Sequence, residues 1–214
     1  MDFTLIETLR WEPDQGFIRL DQHLRRLSRS ADALGFRQPV KPEAALKEVV
    51  SGDKPLRARL AMNFRGKLEA TATPFEPIGE NTIWRIRIAE KTRLNSQDTL
   101  YRHKTSRRDP YDAARAEFST DEAEEVLLLN ERGEICEGSF TSVFVQGLDG
   151  MLITPPLSCG LIPGILRADL IRERKARAEV LKPESLHGRA IFVGNSLRGL
   201  IRAELVEDQQ RAVA

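Results

Sequence analysis

The chain has 214 residues, and 33 lysines and arginines against 32 aspartates and glutamates give a formal net charge of +1. That balance offers no field to draw the protein onto nucleic acid, and its apolar runs are too short for a membrane-spanning helix. Two cysteines, Cys136 and Cys159, make neither a disulfide framework nor a metal site, and the opening MDFTLIETLRW is too short and acidic for a signal peptide, so a reduced, cytoplasmic protein is expected.

Residues 3–10 alternate as a strand does. Residues 20–34 read as an amphipathic helix with Leu20, Leu24, Leu27, Ala31 and Leu34 on one face and Gly35 as its stop. A second helix is expected over residues 42–50. Residues 56–64 and 68–75 flank Arg65-Gly66-Lys67 as a hairpin, and residues 83–89 alternate again. The polar stretch 90–98 is the best boundary, dividing a lobe of residues 1–92 from one of residues 93–214. Beyond it, residues 110–118 should be helical and residues 125–129 a buried strand, followed by a turn at 130–134. Residues 140–145 and 151–154 bracket a hairpin at Asp149-Gly150. Pro163 opens a helix running to about Arg177, and short strands at 190–194 and 200–204 complete an α+β chain of two lobes with mixed, largely antiparallel sheets.

Three segments carry chemistry. Lys104, in LYRHKTSRRDPY, sits beside Arg102, Arg107 and Arg108, whose charges favour the neutral amine that imine formation needs. Glu137, in CEGS, is a carboxylate suited to keep a pyridine nitrogen protonated. In LIPGILR, Gly164, Ile165 and Leu166 fall in the first turn of a helix, where unpaired N–H groups can take a phosphate. Singly, each has an ordinary reading: a solvated lysine, a strand-end acid, a helix that binds nothing. Together they are the inventory that binds pyridoxal 5′-phosphate (PLP). Arg26, in DQHLRRLSRSA, falls away from the apolar stripe of its helix, where a guanidinium could grip phosphate. Asn195 and Ser196, in VGNSLRG, offer further polar contacts to phosphate or substrate. His23, His103 and His187 show no metal-ligand spacing, so no metal is expected.

In this order these segments resemble the class IV aminotransferases, PLP enzymes of fold type IV that include branched-chain and D-amino-acid aminotransferases and 4-amino-4-deoxychorismate lyase. The likeness runs from about Leu5 to Ala203. It implies that Lys104 is the Schiff-base lysine, Arg26 and Asn195 hold phosphate, Glu137 meets the pyridine nitrogen, Ile162 packs on the ring, and Ile165 and Leu166 give backbone amides to phosphate. It implies a homodimer acting on a small molecule. HKT[ST]xR followed by tyrosine and a helix is most similar to the lyases, including the lyase domain fused to aminodeoxychorismate synthase component I. The chain departs from the family in three ways. It starts at the ETL strand, Ser142 replaces the usual asparagine of EGSxxN, and Asp109 replaces the tyrosine that branched-chain members carry five residues past the lysine. Tyr111 or Tyr101 is left to serve the ring hydroxyl, and Tyr111 and Arg108 to meet the substrate, Arg108 at a carboxylate. The expected activity is conversion of 4-amino-4-deoxychorismate to 4-aminobenzoate and pyruvate, with transamination of branched-chain or D-amino acids as the alternative.

Overall fold

The structure, a computed structural model, describes residues 2–207. They fall into two compact units, and the chain passes between them more than once. The first holds residues 2–78 with His103–Arg108 and Ser196–Arg198; the second holds Gly79–Arg102, Asp109–Asn195 and residues 199–207. Residue 92, the expected boundary, lies within a strand, and the Lys104 segment groups with the first unit.

The first unit is a four-stranded antiparallel sheet in the order β2-β1-β3-β4, with β1 at Leu5–Glu12, β2 at Gly16–Phe17, β3 at Leu56–Met62 and β4 at Leu68–Pro74. Helices α1 (Leu20–Ala33) and α2 (Pro42–Lys47) complete it. Alternation in β1 buries Leu5, Glu7 and Leu9. The two leucines pack with Leu27, Ala31, Leu46 and Leu60 in one apolar core. Gly35, at φ +70°, ends α1 as expected: Phe36 N–H reaches the Ala31 carbonyl and Gly35 N–H that of Asp32. Helix α2 is shorter than the expected 42–50.

The second unit carries an eight-stranded mixed sheet in the order β10-β9-β8-β11-β12-β5-β6-β7. Its strands are β5 (Ile83–Leu94), β6 (Glu125–Asn130), β7 (Ile135–Gly138), β8 (Ser142–Gln146), β9 (Leu152–Thr154), β10 (Ala176–Ala178), β11 (Ile191–Asn195) and β12 (Gly199–Leu205). Parallel pairs join β5 to β6, β5 to β12 and β9 to β10, and the rest are antiparallel. Strand β5 runs into the stretch expected to be a linker. Its pairing with β6 is interrupted between Ile88 and Arg93, and there the Glu117 carboxylate accepts the N–H groups of Glu90, Lys91 and Thr92 at 2.5, 3.0 and 2.9 Å. A side chain thus satisfies the donors that the ladder loses.

Helix α3 spans Asp109–Arg115, shorter than the expected 110–118. Helix α4 spans Ile165–Arg172, which corrects the helix expected from Pro163 to Arg177 at both ends. Gly164 caps its start with extended backbone. At its end Lys175 N–H reaches the Leu170 carbonyl, Arg174 N–H reaches that of Ile171, and Arg174 adopts φ +58°. This is the closure that glycine usually makes. With arginine in the left-handed position, the sequence carries no stop signal.

Candidate active site

Lys104 is placed by β1. The Ile6 N–H donates to the Lys104 carbonyl at 2.9 Å, the Ser106 N–H donates to the Thr4 carbonyl at 2.9 Å, and Thr105 bridges Leu5. The lysine segment therefore runs as a short added strand beside the first half of β1, fixed by its main chain, with the side chain half-buried. His103 Nδ1 lies 2.9 Å from Ser30 Oγ on α1 and anchors the segment at its other end.

On the buried face of β1, Glu7 interrupts the row of leucines. The Arg26 Nε and Nη2 groups donate to its two oxygens at 2.8 and 2.6 Å, and His23 Nδ1 lies 2.6 Å from Oε2. Burial would push the Glu7 carboxyl up; Arg26 and His23 outweigh it and bring it down to about 2. The reading of Arg26 as turned away from the apolar stripe is corrected here, because its head folds inward onto Glu7. His23 Nε2 continues to Ser196 Oγ at 2.8 Å. Burial lowers the His23 pKa, Glu7 opposes that, and the charges of Arg26 and Lys104 lower it further.

In the second unit, β7 carries Glu137 into the interior opposite Leu128. Its Oε1 accepts the Tyr111 hydroxyl at 2.8 Å and the Ile162 N–H at 3.0 Å. Tyr111 is buried, edge-on to Tyr101 with ring centres 6.1 Å apart. Arg167 is buried as well and donates through Nε and Nη2 to the Pro155 carbonyl. Burial lowers its pKa and the charge of Glu137 opposes that.

A second buried acid, Glu125, shapes the turn after Glu137. It accepts the N–H and hydroxyl of Ser139 at 2.9 and 2.6 Å, the Phe140 N–H at 3.2 Å and the Thr141 hydroxyl at 2.7 Å. Burial raises its pKa while these bonds oppose the rise. Only glycine fits at 138, where a Cβ would stand 2.4 Å from Thr141 Oγ1 and 2.6 Å from Glu125 Oε2.

Helix α4 begins without a side-chain cap, so the N–H groups of Ile165 and Leu166 have no side-chain acceptor at the cap residue. At Gly164 a Cβ would lie 2.5 Å from Ser142 Oγ, so β8 and the helix start touch closely. The end of β11 reaches the same helix: a Cβ on Gly194 would lie 3.1 Å from Leu166 Cδ2. Asn195 follows, donating from Nδ2 to the Phe140 carbonyl at 3.1 Å. Ile162 and Arg108 are half-buried.

The structure thus groups Glu137, Tyr111, Ile162, Ile165, Leu166 and Asn195 in the second unit, and Lys104, Arg108 and Arg26 in the first. Motif reading overlooked Glu7, His23, Arg167 and Glu125. The available signal was phase: Glu7 falls between Leu5 and Leu9 on the inward side of β1, and His23 falls three residues after Leu20 in the stripe of α1. Among the described residues no group of His, Cys, Asp and Glu side chains could hold a metal, and no helix is long and apolar enough to cross a membrane.

The donor set fits PLP: a main-chain-fixed lysine, a buried carboxylate that already accepts two donors, and an uncapped helix start with a glycine before it.

Comparison with known proteins returns the amino-transferase class IV family, whose profile matches residues 4–206. A "Putative aminodeoxychorismate lyase" of Schizosaccharomyces pombe is 24% identical over 201 residues, covering 90% of this chain and 86% of its own. The crystal structure of a "Putative amino-acid aminotransferase" of Mesorhizobium loti superposes with a TM-score of 0.92 at 49% identity, over 96% of this chain and 100% of its own. A branched-chain amino acid aminotransferase of Thermobaculum terrenum, solved in its PLP form, shares the fold at a TM-score of 0.75 and 18% identity, over 94% of this chain and 76% of its own.

Proposed function

The chain belongs to the amino-transferase class IV family, and from that premise we propose that it is a PLP-dependent lyase that converts 4-amino-4-deoxychorismate to 4-aminobenzoate and pyruvate. The observation that carries the lyase reading is position 109. There the tyrosine of the branched-chain members is replaced by Asp109, an exposed residue at the start of α3, and the next aromatic, Tyr111, gives its hydroxyl to Glu137. The aligned "Putative aminodeoxychorismate lyase" of Schizosaccharomyces pombe supports the same reading along nearly the whole chain.

When bound, PLP supplies an electron sink for negative charge at the carbon bearing the substrate amine. The remaining work falls to the chain. Lys104 Nζ would hold the cofactor and would serve as the base that takes the proton from that carbon. Glu137, held by Tyr111 and the Ile162 N–H, would keep a proton on the pyridine nitrogen. The N–H groups of Ile165 and Leu166, with Arg26 and Asn195, would hold the phosphate, and Ile162 would pack on the ring. Arg108 takes a substrate carboxylate. Loss of pyruvate leaves an aromatic ring, which drives the reaction forward.

A transaminase is the second reading, favoured by the 49% identity to the Mesorhizobium loti protein. It would use the same groups up to the first proton transfer. The test is to supply aminodeoxychorismate formed in situ and to follow 4-aminobenzoate and pyruvate. Release by the wild type and not by Lys104→Ala is the expected result. No release from protein that shows the visible band of lysine-bound PLP would overturn the lyase, and a screen of L- and D-amino donors would then test the transaminase.

A further inference from the structure

Glu7, His23 and Ser196 form a buried chain of hydrogen bonds. The Glu7 Oε2 lies 2.6 Å from His23 Nδ1, and His23 Nε2 lies 2.8 Å from Ser196 Oγ. Their exposures are 1%, 1% and 7%. Arg26 grips both oxygens of Glu7, so that carboxylate stays ionised and can only accept. His23 must therefore carry a hydrogen on Nδ1, since a ring lone pair facing a carboxylate at this distance would be repelled.

In the neutral ring Nε2 then has only a lone pair, and the Ser196 hydroxyl has to donate inward to it. A serine has one hydroxyl hydrogen. Spent on His23, it leaves Oγ presenting lone pairs to any other neighbour, the wrong polarity for a phosphate oxygen. Protonation reverses the bond. The Nε2–H then donates to Oγ, and the serine hydrogen turns to the phosphate.

We propose that His23 is a positioning residue for the cofactor phosphate: it takes up one proton as the phosphate binds and thereby turns the Ser196 hydroxyl outward as a donor. This rests on the PLP reading above and on Ser196, next to Asn195 in VGNSLRG, as a contact to the phosphate. The charges acting on His23 are Glu7 from β1, Arg26 from its own helix and Lys104 from the added segment, and Arg198 belongs to the same turn as Ser196. Burial and the two cations favour the neutral ring before phosphate arrives. A dianion beside Ser196 opposes those cations and favours the charged ring. A structural histidine would have no reason to change state, since the same two hydrogen bonds exist in either form.

The coupling has a sign. Above the pH at which the bound-state ring titrates, the added proton is lost and phosphate-ester affinity stops depending on it. Between the free and bound titrations affinity falls by up to about tenfold per pH unit. The ligand's own second ionisation, near pH 6, acts in the opposite direction and is complete above about pH 7.

The chain contains three histidines, His23, His103 and His187. Nitrogen NMR of protein labelled at histidine can therefore follow His23 in the otherwise native chain, with His103→Gln and His187→Gln assigning the other two signals. Near neutral pH the cofactor-free protein should show His23 neutral with its hydrogen on Nδ1, and the PLP-loaded protein should show both ring nitrogens protonated. The same neutral tautomer with and without PLP overturns the proposal, and so does a ring already charged without it. The visible absorption of the same sample reports separately on PLP: if no band forms, the cofactor reading itself fails and the role of His23 falls with it.

Discussion

Tyr111 donates its hydroxyl hydrogen to Glu137 Oε1 at 2.8 Å, the two residues lying 26 positions apart in the chain and both side chains being buried. The Ile162 N–H shares the same oxygen at 3.0 Å. Tyr111 therefore acts on Glu137, and Tyr111→Phe should keep the fold while costing about 1 kcal/mol, the net worth of one hydrogen bond. Urea unfolding measures that cost, and no loss at all would mean that Glu137 needs no second donor.

Replacing Glu137 by glutamine preserves an acceptor for Tyr111 and Ile162 but removes the negative charge. PLP should still bind Lys104, with its visible band shifted, while kcat falls roughly 10²–10⁴-fold, the range of a positioned acid–base group. A matching rise in KM with unchanged kcat would assign Glu137 to substrate binding instead.

The Glu7 carboxyl titrates near 2 in the folded protein because of Arg26 and His23, against an ordinary value near 4.3 in the unfolded chain. A depressed carboxyl contributes stability that is present above the unfolded value and lost as pH falls toward the folded one. The loss should be about 3 kcal/mol between about pH 5 and about pH 2. The stability difference between wild type and Glu7→Gln should shrink over that interval. A pH-independent difference would show that the pair contributes packing alone.

At Gly138 an added methyl meets Thr141 Oγ1 and Glu125, the latter fixed by its own buried hydrogen bonds. Gly138→Ala should destabilise by roughly 1–3 kcal/mol, as overpacking does, and loosen the turn behind Glu137. Thermal unfolding with and without PLP separates the two effects: a larger shift in the loaded protein shows that the turn also serves the cofactor.

Both thiols are buried, and burial pushes their pKa values up, that of Cys159 to about 11. Neither should react with an aromatic disulfide reagent at neutral pH until the protein unfolds. Fast labelling of the native protein would contradict this placement.

The local chemistry was legible in the chain itself. Alternation gave β1, and the leucine stripe and Gly35 gave α1 and its end, because each depends on neighbours close in sequence; Lys104, Glu137 and LIPGILR pointed to the cofactor only in combination. The end of α4 was hidden, since Arg174 takes the conformation that glycine would have announced. The reach of β5 was hidden too, because Glu117, more than twenty residues away, supplies acceptors to its polar part. Tertiary structure alone decided that Glu7, His23, Arg26 and Ser196 meet. The His23–Ser196 bond spans 173 positions, and pairing of the Lys104 segment with β1 spans about a hundred. Contacts at that separation leave no periodicity to read; a buried polar group shows only that it must have a partner, and the fold determines which one.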